Sequence, residues 1–186
     1  MIFVIAGWIA FALYLLAHAY LSILKDINKP IYFSLNIAAA VLLAISSLAI
    51  ASWQAVLINV FWGLVSWAGL VNSAILNQYV PRYWRTLAPV AGLSIAGGVA
   101  SFIDTETALT LLGWAGVWLF CGSYLLFTAT KIGRVAYLWA SLISYSLLLP
   151  IYYIQTNWPS FTLGIAWSAV TIAGLVDTLV RSRSSA

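Results

Sequence analysis

The sequence predicts an all-α integral membrane protein, and two features carry that prediction. Hydrophobic residues make up 64% of the 186 residues and charged residues only 6%, against about 25% charged in a soluble domain. The charges separate long uncharged stretches such as 2–24 and 107–130, and about 20 apolar residues suffice for a helix to cross a bilayer. An outer-membrane barrel would instead alternate polar and apolar residues in short segments, a pattern that this chain lacks.

The breaks between the apolar stretches predict seven transmembrane helices. We place them at about 2–24, 31–51, 54–75, 87–103, 108–130, 135–155 and 159–179. The second begins just inside Pro30, a residue that the first turn of a helix tolerates. The fourth is the shortest, and it ends before Asp104 and Glu106.

The basic residues predict how the chain is oriented, because Lys and Arg accumulate in short cytoplasmic loops. With seven helices, all eight basic residues fall on one side of the membrane: Lys25, Lys29, Arg82, Arg85, Lys131, Arg134, Arg181 and Arg183. With six, Lys131 and Arg134 would lie outside. We therefore expect a multi-pass protein of the cytoplasmic (inner) membrane, with its N-terminus outside and its C-terminus inside. The chain contains no run of basic residues, so we expect no nucleic-acid partner.

An internal repeat organises the chain. Residues 53–71 read WQAVLINVFWGLVSWAGLV, and residues 158–176 read WPSFTLGIAWSAVTIAGLV. The two stretches share two tryptophans in register and a closing AGLV, and Gly7-Trp8 matches Gly113-Trp114 at a spacing of 106. We expect a first three-helix repeat at 1–76, a connection and linker helix at 77–107, and a second three-helix repeat with a short basic tail at 108–186.

The single helix between the copies has a geometric consequence. Two three-helix units joined directly would lie in opposite orientations, whereas one intervening helix restores the same orientation. The two repeats are therefore expected to be parallel and related by an axis along the membrane normal. The interface between them then lies at the centre of the bundle.

Residues 7–71 resemble an uncharacterised bacterial family of small three-helix membrane domains. The stretch NIAAAVLLAISSLAIASWQAVLINVFW and the initial Gly7-Trp8 carry this resemblance. The three-one-three order of helices resembles the SWEET sugar facilitators and, more loosely, the PnuC vitamin transporters. This SWEET-like architecture implies solute transport, although the first and fifth helices lack the prolines that SWEET proteins carry in four helices of their bundles.

Polar and aromatic residues inside the helices are the candidates for a solute site. Asn59 and Trp62 share a helical face, where an amide offers donors and acceptors and an indole offers a flat apolar wall. Because Gly164 stands at the position of Asn59 in the second copy, we expect the first half to supply most of the hydrogen bonding. The predicted solute-binding residues are Asn59, Trp62, Asn36, Trp167, Ser144 and His18.

The same residues permit a simpler interpretation, since polar side chains hydrogen-bond between helices in any membrane bundle. We predict a facilitator of a small polar solute, such as a sugar, nucleoside or vitamin, that works by alternating access. The alternative is a non-transporting structural or accessory protein of a membrane complex. The lipid bilayer is the expected surrounding in either case, and the sequence leaves open whether the chain forms a homo-oligomer.

Catalysis has little support in the sequence. The four acidic residues lie in predicted loops or at a helix end, and the one His and one Cys lie in different helices, where they form no metal site on their own. A membrane enzyme is expected to place carboxylates, histidines or a metal within the bundle. We therefore expect no enzymatic activity and no cofactor.

Overall fold

The structure is a computed structural model that describes residues 1–24, 27–80 and 83–184. Lys25 and Arg82 lie outside the described residues, and the side chains of Arg181 and Arg183 are likewise not described. The described residues form seven α-helices: α1 (Ile2–Ile23), α2 (Lys29–Leu48), α3 (Trp53–Tyr79), α4 (Tyr83–Ala100), α5 (Thr105–Thr128), α6 (Arg134–Ile154) and α7 (Trp158–Ser184).

Six of these helices contain stretches long and apolar enough to cross a membrane, which indicates a multi-pass membrane protein. The six are α1, α2, α3, α5, α6 and α7. In α4 the apolar stretch is shorter, at Leu87–Ala100, and spans about 21 Å at 1.5 Å per residue. A seventh crossing therefore stays a prediction.

Capping explains why two helices begin earlier than the sequence indicated. The side chain of Asn28 accepts a hydrogen bond from the Ile31 N–H, so α2 begins at Lys29 rather than after Pro30. Asp104 accepts from the N–H groups of Glu106 and Thr107, so α5 begins at Thr105. Its bonds with Thr107, followed by that with Glu106, hold the pKa of the exposed Asp104 carboxyl below its ordinary value.

The third and fourth helices also differ from their predicted bounds. α3 continues to Tyr79, past a break at Asn72 where the backbone is extended. α4 begins at Tyr83 and ends at Ala100, because residues 101–103 form a turn closed by backbone bonds such as Ile103 N–H to Ala100 O.

The six longer helices form a closed ring in the order α1, α2, α3, α5, α6 and α7, and α7 packs back onto α1. α4 lies outside this ring, against α5. The two contacts between the halves are equivalent, since α3 packs on α5 as α7 packs on α1. This ring is the arrangement expected of two three-helix repeats related by a pseudo-twofold axis.

The connections show that the two repeats are parallel. Ala51 and Thr156, 105 residues apart, both adopt a φ of 52°, and they lie in the α2–α3 and α6–α7 turns. These turns meet at one end of the bundle, where the Ser52 hydroxyl donates to the Gln155 side chain. At the opposite end Arg134, the first residue of α6, donates to the Leu24 carbonyl at the end of α1.

The repeated AGLV places a glycine in close contact with the other half in both copies. A Cβ atom at Gly174 would lie 2.8 Å from the Ser22 carbonyl oxygen of α1. At Gly69 it would lie 2.9 Å from Thr128 Cγ2 of α5 and closer still to the Phe33 ring. Small residues allow such close approach of membrane helices, so both copies keep glycine at this position.

Candidate functional site

Trp62 forms the first half of an aromatic layer at the centre of the ring. Its indole is 1% exposed and stacks on the Tyr124 ring of α5, with centroids 3.7 Å apart and planes 2° from parallel. The Tyr124 hydroxyl is in turn hydrogen-bonded to the Ser66 hydroxyl at 2.8 Å. Ser66 lies one turn after Trp62 on α3, so one helix of the first half holds a ring from the second.

Trp167 repeats this arrangement in the other direction. Its indole is 2% exposed and stacks on the imidazole of His18 in α1, with centroids 3.6 Å apart and planes 13° from parallel. His18 Nε2 is hydrogen-bonded to the Thr171 hydroxyl at 2.7 Å, and Thr171 lies one turn after Trp167 on α7. We call the two arrangements the Trp62 stack and the Trp167 stack.

The two stacks are copies of one another in sequence as well as in space. Trp62 and Ser66 correspond to Trp167 and Thr171 at a spacing of 105 residues, and His18 corresponds to Tyr124 at a spacing of 106. The two indoles meet edge to face, with centroids 6.0 Å apart. The centre of the molecule therefore contains the same arrangement twice, an indole stacked on a ring from the other half.

The stacks differ in whether the indole N–H has a hydrogen-bond partner. Trp62 Nε1 donates to Asn36 Oδ1 at 2.8 Å, within the first half. The second copy has Ser141 at the position of Asn36, and its hydroxyl donates to the Leu138 carbonyl of its own helix. Trp167 Nε1 is thus buried without a hydrogen-bond partner.

A second difference lies beside the indoles. In the first half, Tyr14 Oη donates to Asn59 Oδ1 at 2.8 Å, and Asn59 Nδ2 donates to the Ala55 carbonyl. The second copy has Phe120 and Gly164 at these positions. The Tyr145 ring occupies the space beside Gly164, where a Cβ atom would lie 2.6 Å from the ring.

A small cavity lies between the two halves beside these residues, and we call it the central cavity. The volume open to the centre of a water molecule is about 20 Å³, enough for one or two waters. Both halves contribute to its lining, which consists of Tyr14, Leu43, Ile58, Asn59, Trp62, Phe120, Tyr145, Tyr152, Ser160, Leu163 and Trp167. Besides Trp167 Nε1, the hydroxyl of Ser160 is buried here without a partner.

One end of the bundle is closed by hydrogen bonds between the halves. Gln155 accepts from the Ser52 hydroxyl at 2.6 Å and donates to Gln54 Oε1 at 2.8 Å. Asn157 Nδ2 donates to the hydroxyls of Ser52 and Ser47. We call these five side chains the turn cluster, and Asn157 joins the cluster to the central cavity by accepting from the backbone N–H of Ser160.

The opposite end of the bundle contains a wider depression, which we call the vestibule. About 600 Å³ of it is open to the centre of a water molecule. Its described lining comes from the start of α2 in the first half and from the α5–α6 connection of the second. Thr128, one turn beyond Tyr124 on α5, lines it, so the Trp62 stack lies between the vestibule and the central cavity.

The structure brings three of the six predicted site residues to the central cavity, namely Asn59, Trp62 and Trp167. Asn36 and His18 lie behind the two indoles, as the hydrogen-bond partner of Trp62 and the stacking partner of Trp167. Ser144 donates to the Ala140 carbonyl of its own helix and is not among the residues that line the cavity.

The expectation that the first half supplies most of the hydrogen bonding to a solute stays a prediction. Asn59 is engaged at both side-chain atoms and Asn36 accepts from Trp62. Trp167 Nε1 and Ser160 Oγ, of the second half, are buried without partners, and so is His18 Nδ1 of the first. Asn36 accepts from the Trp62 indole N–H, whereas Ser141, which replaces it, bonds to its own helix and leaves the Trp167 indole N–H unmatched.

Several site residues escaped the sequence prediction. The clearest are Tyr14, Ser66, Tyr124 and Ser160, which no feature of their own helices distinguishes from neighbouring residues. The repeat contained a signal for two of them. The spacing of 105 that aligns Trp62 with Trp167 also aligns Ser66 with Thr171, and the spacing of 106 that aligns Trp8 with Trp114 also aligns His18 with Tyr124. Nothing comparable marks Ser160, whose counterpart is Ala55.

The fold and the site define a multi-pass helical membrane protein made of two equivalent three-helix halves. One family model matches the chain over two segments, residues 3–77 and 109–183, which together cover well over half of it. The chain therefore belongs to this family. The match to the second segment extends the resemblance that the sequence showed most clearly in the first half.

No curated protein matches the chain, and no solved structure matches it. The resemblance to the SWEET and PnuC transporters therefore stays a prediction.

Proposed function

We propose that this protein is a facilitator of a small solute and works by alternating access between its two three-helix halves. The observation that carries the proposal is the central cavity, which lies between the halves and is lined by Trp167 and Ser160. The indole N–H of Trp167 and the hydroxyl of Ser160 are buried without partners, whereas buried polar groups are normally hydrogen-bonded. Two unpartnered donors on residues that line one cavity favour a site that a solute or water fills.

The two ends of the bundle support this proposal. The turn cluster joins the halves at one end by side-chain hydrogen bonds, and the vestibule leads inward from the other. A cavity open to one or two waters is too small for a sugar or a nucleoside. Entry of a solute therefore requires the two halves to separate at the stacks.

The proposal includes an orientation. Lys29, Lys131 and Arg134 line the vestibule, and basic residues favour the cytoplasmic side. The vestibule then faces the cytoplasm and the turn cluster faces the outside of a cytoplasmic membrane. α3 ends at the vestibule end and α5 begins at the turn-cluster end, so α4 returns across the membrane as the seventh crossing. No catalytic role and no cofactor belong to the proposal.

Cysteine labelling tests alternating access without knowledge of the solute. In a Cys121→Ala background, Ser160→Cys places a thiol in the central cavity with little change of volume. We expect a membrane-impermeant thiol reagent to label it from the vestibule side, and more slowly from the turn-cluster side. Ser123→Cys is the matched control, because Ser123 is buried in α5 but does not line the cavity, and it should stay unlabelled.

A further variant links labelling to the movement of the halves. Gln155→Ala removes two hydrogen bonds between the turns, so labelling of Ser160→Cys from the turn-cluster side should become several-fold faster. If Ser160→Cys is labelled from neither side, the bundle is static. The tight packing of the aromatic layer would then favour the alternative, a structural or accessory protein of a membrane complex.

A further inference from the structure

The vestibule differs from the central cavity in its charge. Three of its described lining residues are cationic, Lys29, Lys131 and Arg134, and its described lining contains no Asp or Glu. The cations come from both halves, with Lys29 at the start of α2 and Arg134 at the start of α6. Basic residues that serve only to orient a membrane protein would be expected around its perimeter, whereas these surround an opening at the end of the bundle.

The Arg134 guanidinium is held in position. It donates to the carbonyls of Ser22 and Leu24 at the end of α1, where the helix dipole favours a cation. Its Nε has no hydrogen-bond partner. Two of the five N–H groups of the guanidinium are engaged in this way, so each terminal nitrogen retains one N–H for an anion. A guanidinium fixed by two bonds loses little freedom when it binds an anion.

Three aromatic rings also line the vestibule. Tyr32 and Phe33 of α2 face it from one side and Phe127 of α5 from the other. Phe127 is itself fixed by stacking on Tyr137, with centroids 4.8 Å apart. Cations beside flat apolar rings are suited to a solute that has both an anionic group and a planar apolar body.

From these observations we infer that the solute is a small organic anion with a planar apolar body, which the vestibule collects before it reaches the central cavity. This inference rests on the proposed facilitator function and names its substrate class. The central cavity fits the same chemistry, because Trp167 Nε1 and Ser160 Oγ are donors and the oxygens of a carboxylate are acceptors. Sugars and nucleosides, which carry no anionic group, would gain nothing from the three cations.

Benzoate and benzamide test the inference because they share shape and differ in charge. Binding to the purified protein in a nonionic detergent is followed by the shift of the thermal unfolding midpoint with ligand concentration, at constant ionic strength. We expect benzoate to bind at least about tenfold more tightly than benzamide. Lys131→Gln and Lys29→Gln should each weaken benzoate about five- to tenfold, the effect of one nearby charge in a partly screened site.

Arg85→Gln is the matched control, since Arg85 is an exposed basic residue of α4 that is not part of the described vestibule lining. It should leave benzoate binding unchanged. Equal binding of benzoate and benzamide, or equal losses in all three variants, would overturn the inference.

An anionic lipid headgroup offers the same charge as a soluble anion, so binding is also measured in membranes with and without an anionic lipid. The protein is placed in nanodiscs of phosphatidylcholine alone or with phosphatidylglycerol. Benzoate binding in phosphatidylcholine that depends on Lys131 supports the soluble anion. Stabilisation by phosphatidylglycerol that depends on Lys131, with no effect of benzoate in either membrane, overturns it in favour of a lipid site.

Uptake into proteoliposomes distinguishes this inference from the function on which it rests. Radiolabelled benzoate should enter faster than benzamide after subtraction of protein-free vesicles. Charge-dependent binding of benzoate with no labelling of the Ser160→Cys thiol from either side would uphold the vestibule as an anion site and overturn the facilitator. Labelling from both sides, with benzamide bound and carried as well as benzoate, would uphold the facilitator and overturn the anionic substrate.

Discussion

The Trp62 stack and the Trp167 stack share one arrangement of side chains and differ in whether the indole N–H has a hydrogen-bond partner. Each places an indole against a ring from the other half, and each holds that ring with a hydroxyl one turn along the helix. In the first, Asn36 accepts from the indole N–H. In the second, no side chain does.

The difference illustrates two roles of a polar residue inside a membrane, which are to join helices of one half and to leave a donor without a partner. The hydrogen bonds of Asn36 and Asn59 are made within the first half, where they fix α1, α2 and α3 to one another. The second half replaces both amides with smaller residues and leaves its donors open. A duplicated domain can in this way keep one copy as a scaffold while the other copy provides the groups that a ligand meets.

Substituting each indole by a phenyl ring tests this comparison, and we expect the largest effect here. Trp62→Phe leaves the buried Asn36 carbonyl oxygen unpaired, whereas Trp167→Phe removes a donor that has no partner. The free energy of unfolding should fall by about 1–3 kcal/mol more in Trp62→Phe, the cost of an unsatisfied buried group. Equilibrium unfolding in mixed detergent micelles measures both variants.

A double variant serves as its control. When Asn36→Leu is combined with Trp62→Phe, no unpaired group remains, and most of the additional loss should disappear. If the two single tryptophan variants lose equal free energy of unfolding, then the indole N–H of Trp62 does not differ from that of Trp167 in having a hydrogen-bond partner.

The hydroxyl groups that hold the stacked rings should behave alike in the two halves. Ser66→Ala removes the Ser66 partner of the Tyr124 hydroxyl. Thr171→Val removes, without loss of volume, the shorter of the two hydrogen bonds of His18 Nε2, at 2.7 Å, and leaves that with Ser22 at 3.3 Å. Each should lower the free energy of unfolding by about 0.6 kcal/mol, the average for hydrogen bonds between membrane helices. A loss in Thr171→Val several times that in Ser66→Ala would show that the two stacks are not equivalent.

The smallest expected effect concerns the two turns that close the cluster end. Ala51 and Thr156 both have positive φ, a conformation that costs side-chain-bearing residues free energy and glycine little. Ala51→Gly and Thr156→Gly should each raise the unfolding free energy by about 0.5 kcal/mol, with the larger gain at Thr156 because it is β-branched.

The control for these turns makes the same change in a helix. Ala173 is exposed inside α7, and Ala173→Gly should lower the unfolding free energy by about 1 kcal/mol. A loss of stability in Ala51→Gly and Thr156→Gly would mean that the left-handed conformation is not what determines these two turns.

Much of the fold was readable from the sequence because the membrane imposes simple rules. Apolar length predicted six helices that the structure contains, and the spacing of Trp62 and Trp167 predicted two equivalent halves, which the family match supports. The bounds of α2 and α5 were less accurate, since a cap such as Asn28 or Asp104 depends on a local backbone conformation that apolar periodicity does not report.

The candidate site was only partly readable. Asn59, Trp62 and Trp167 were predicted together because they are polar or aromatic groups deep in apolar helices, and they line one cavity. Ser144 was selected by the same reasoning, yet its hydroxyl bonds to its own helix. A hydroxyl in a membrane helix has that local alternative, and the sequence does not show which partner it takes.

The sequence by itself determined the class of protein, the duplication and the side of the bundle on which the charges gather. Length, polarity and repeat spacing are properties of the chain, and a bilayer converts them directly into helices and their order. Only the tertiary structure decided which groups pair across the axis. His18 meets Trp167 and Tyr124 meets Trp62, because such contacts depend on the relative rotation of helices from different halves, which no spacing along one chain specifies.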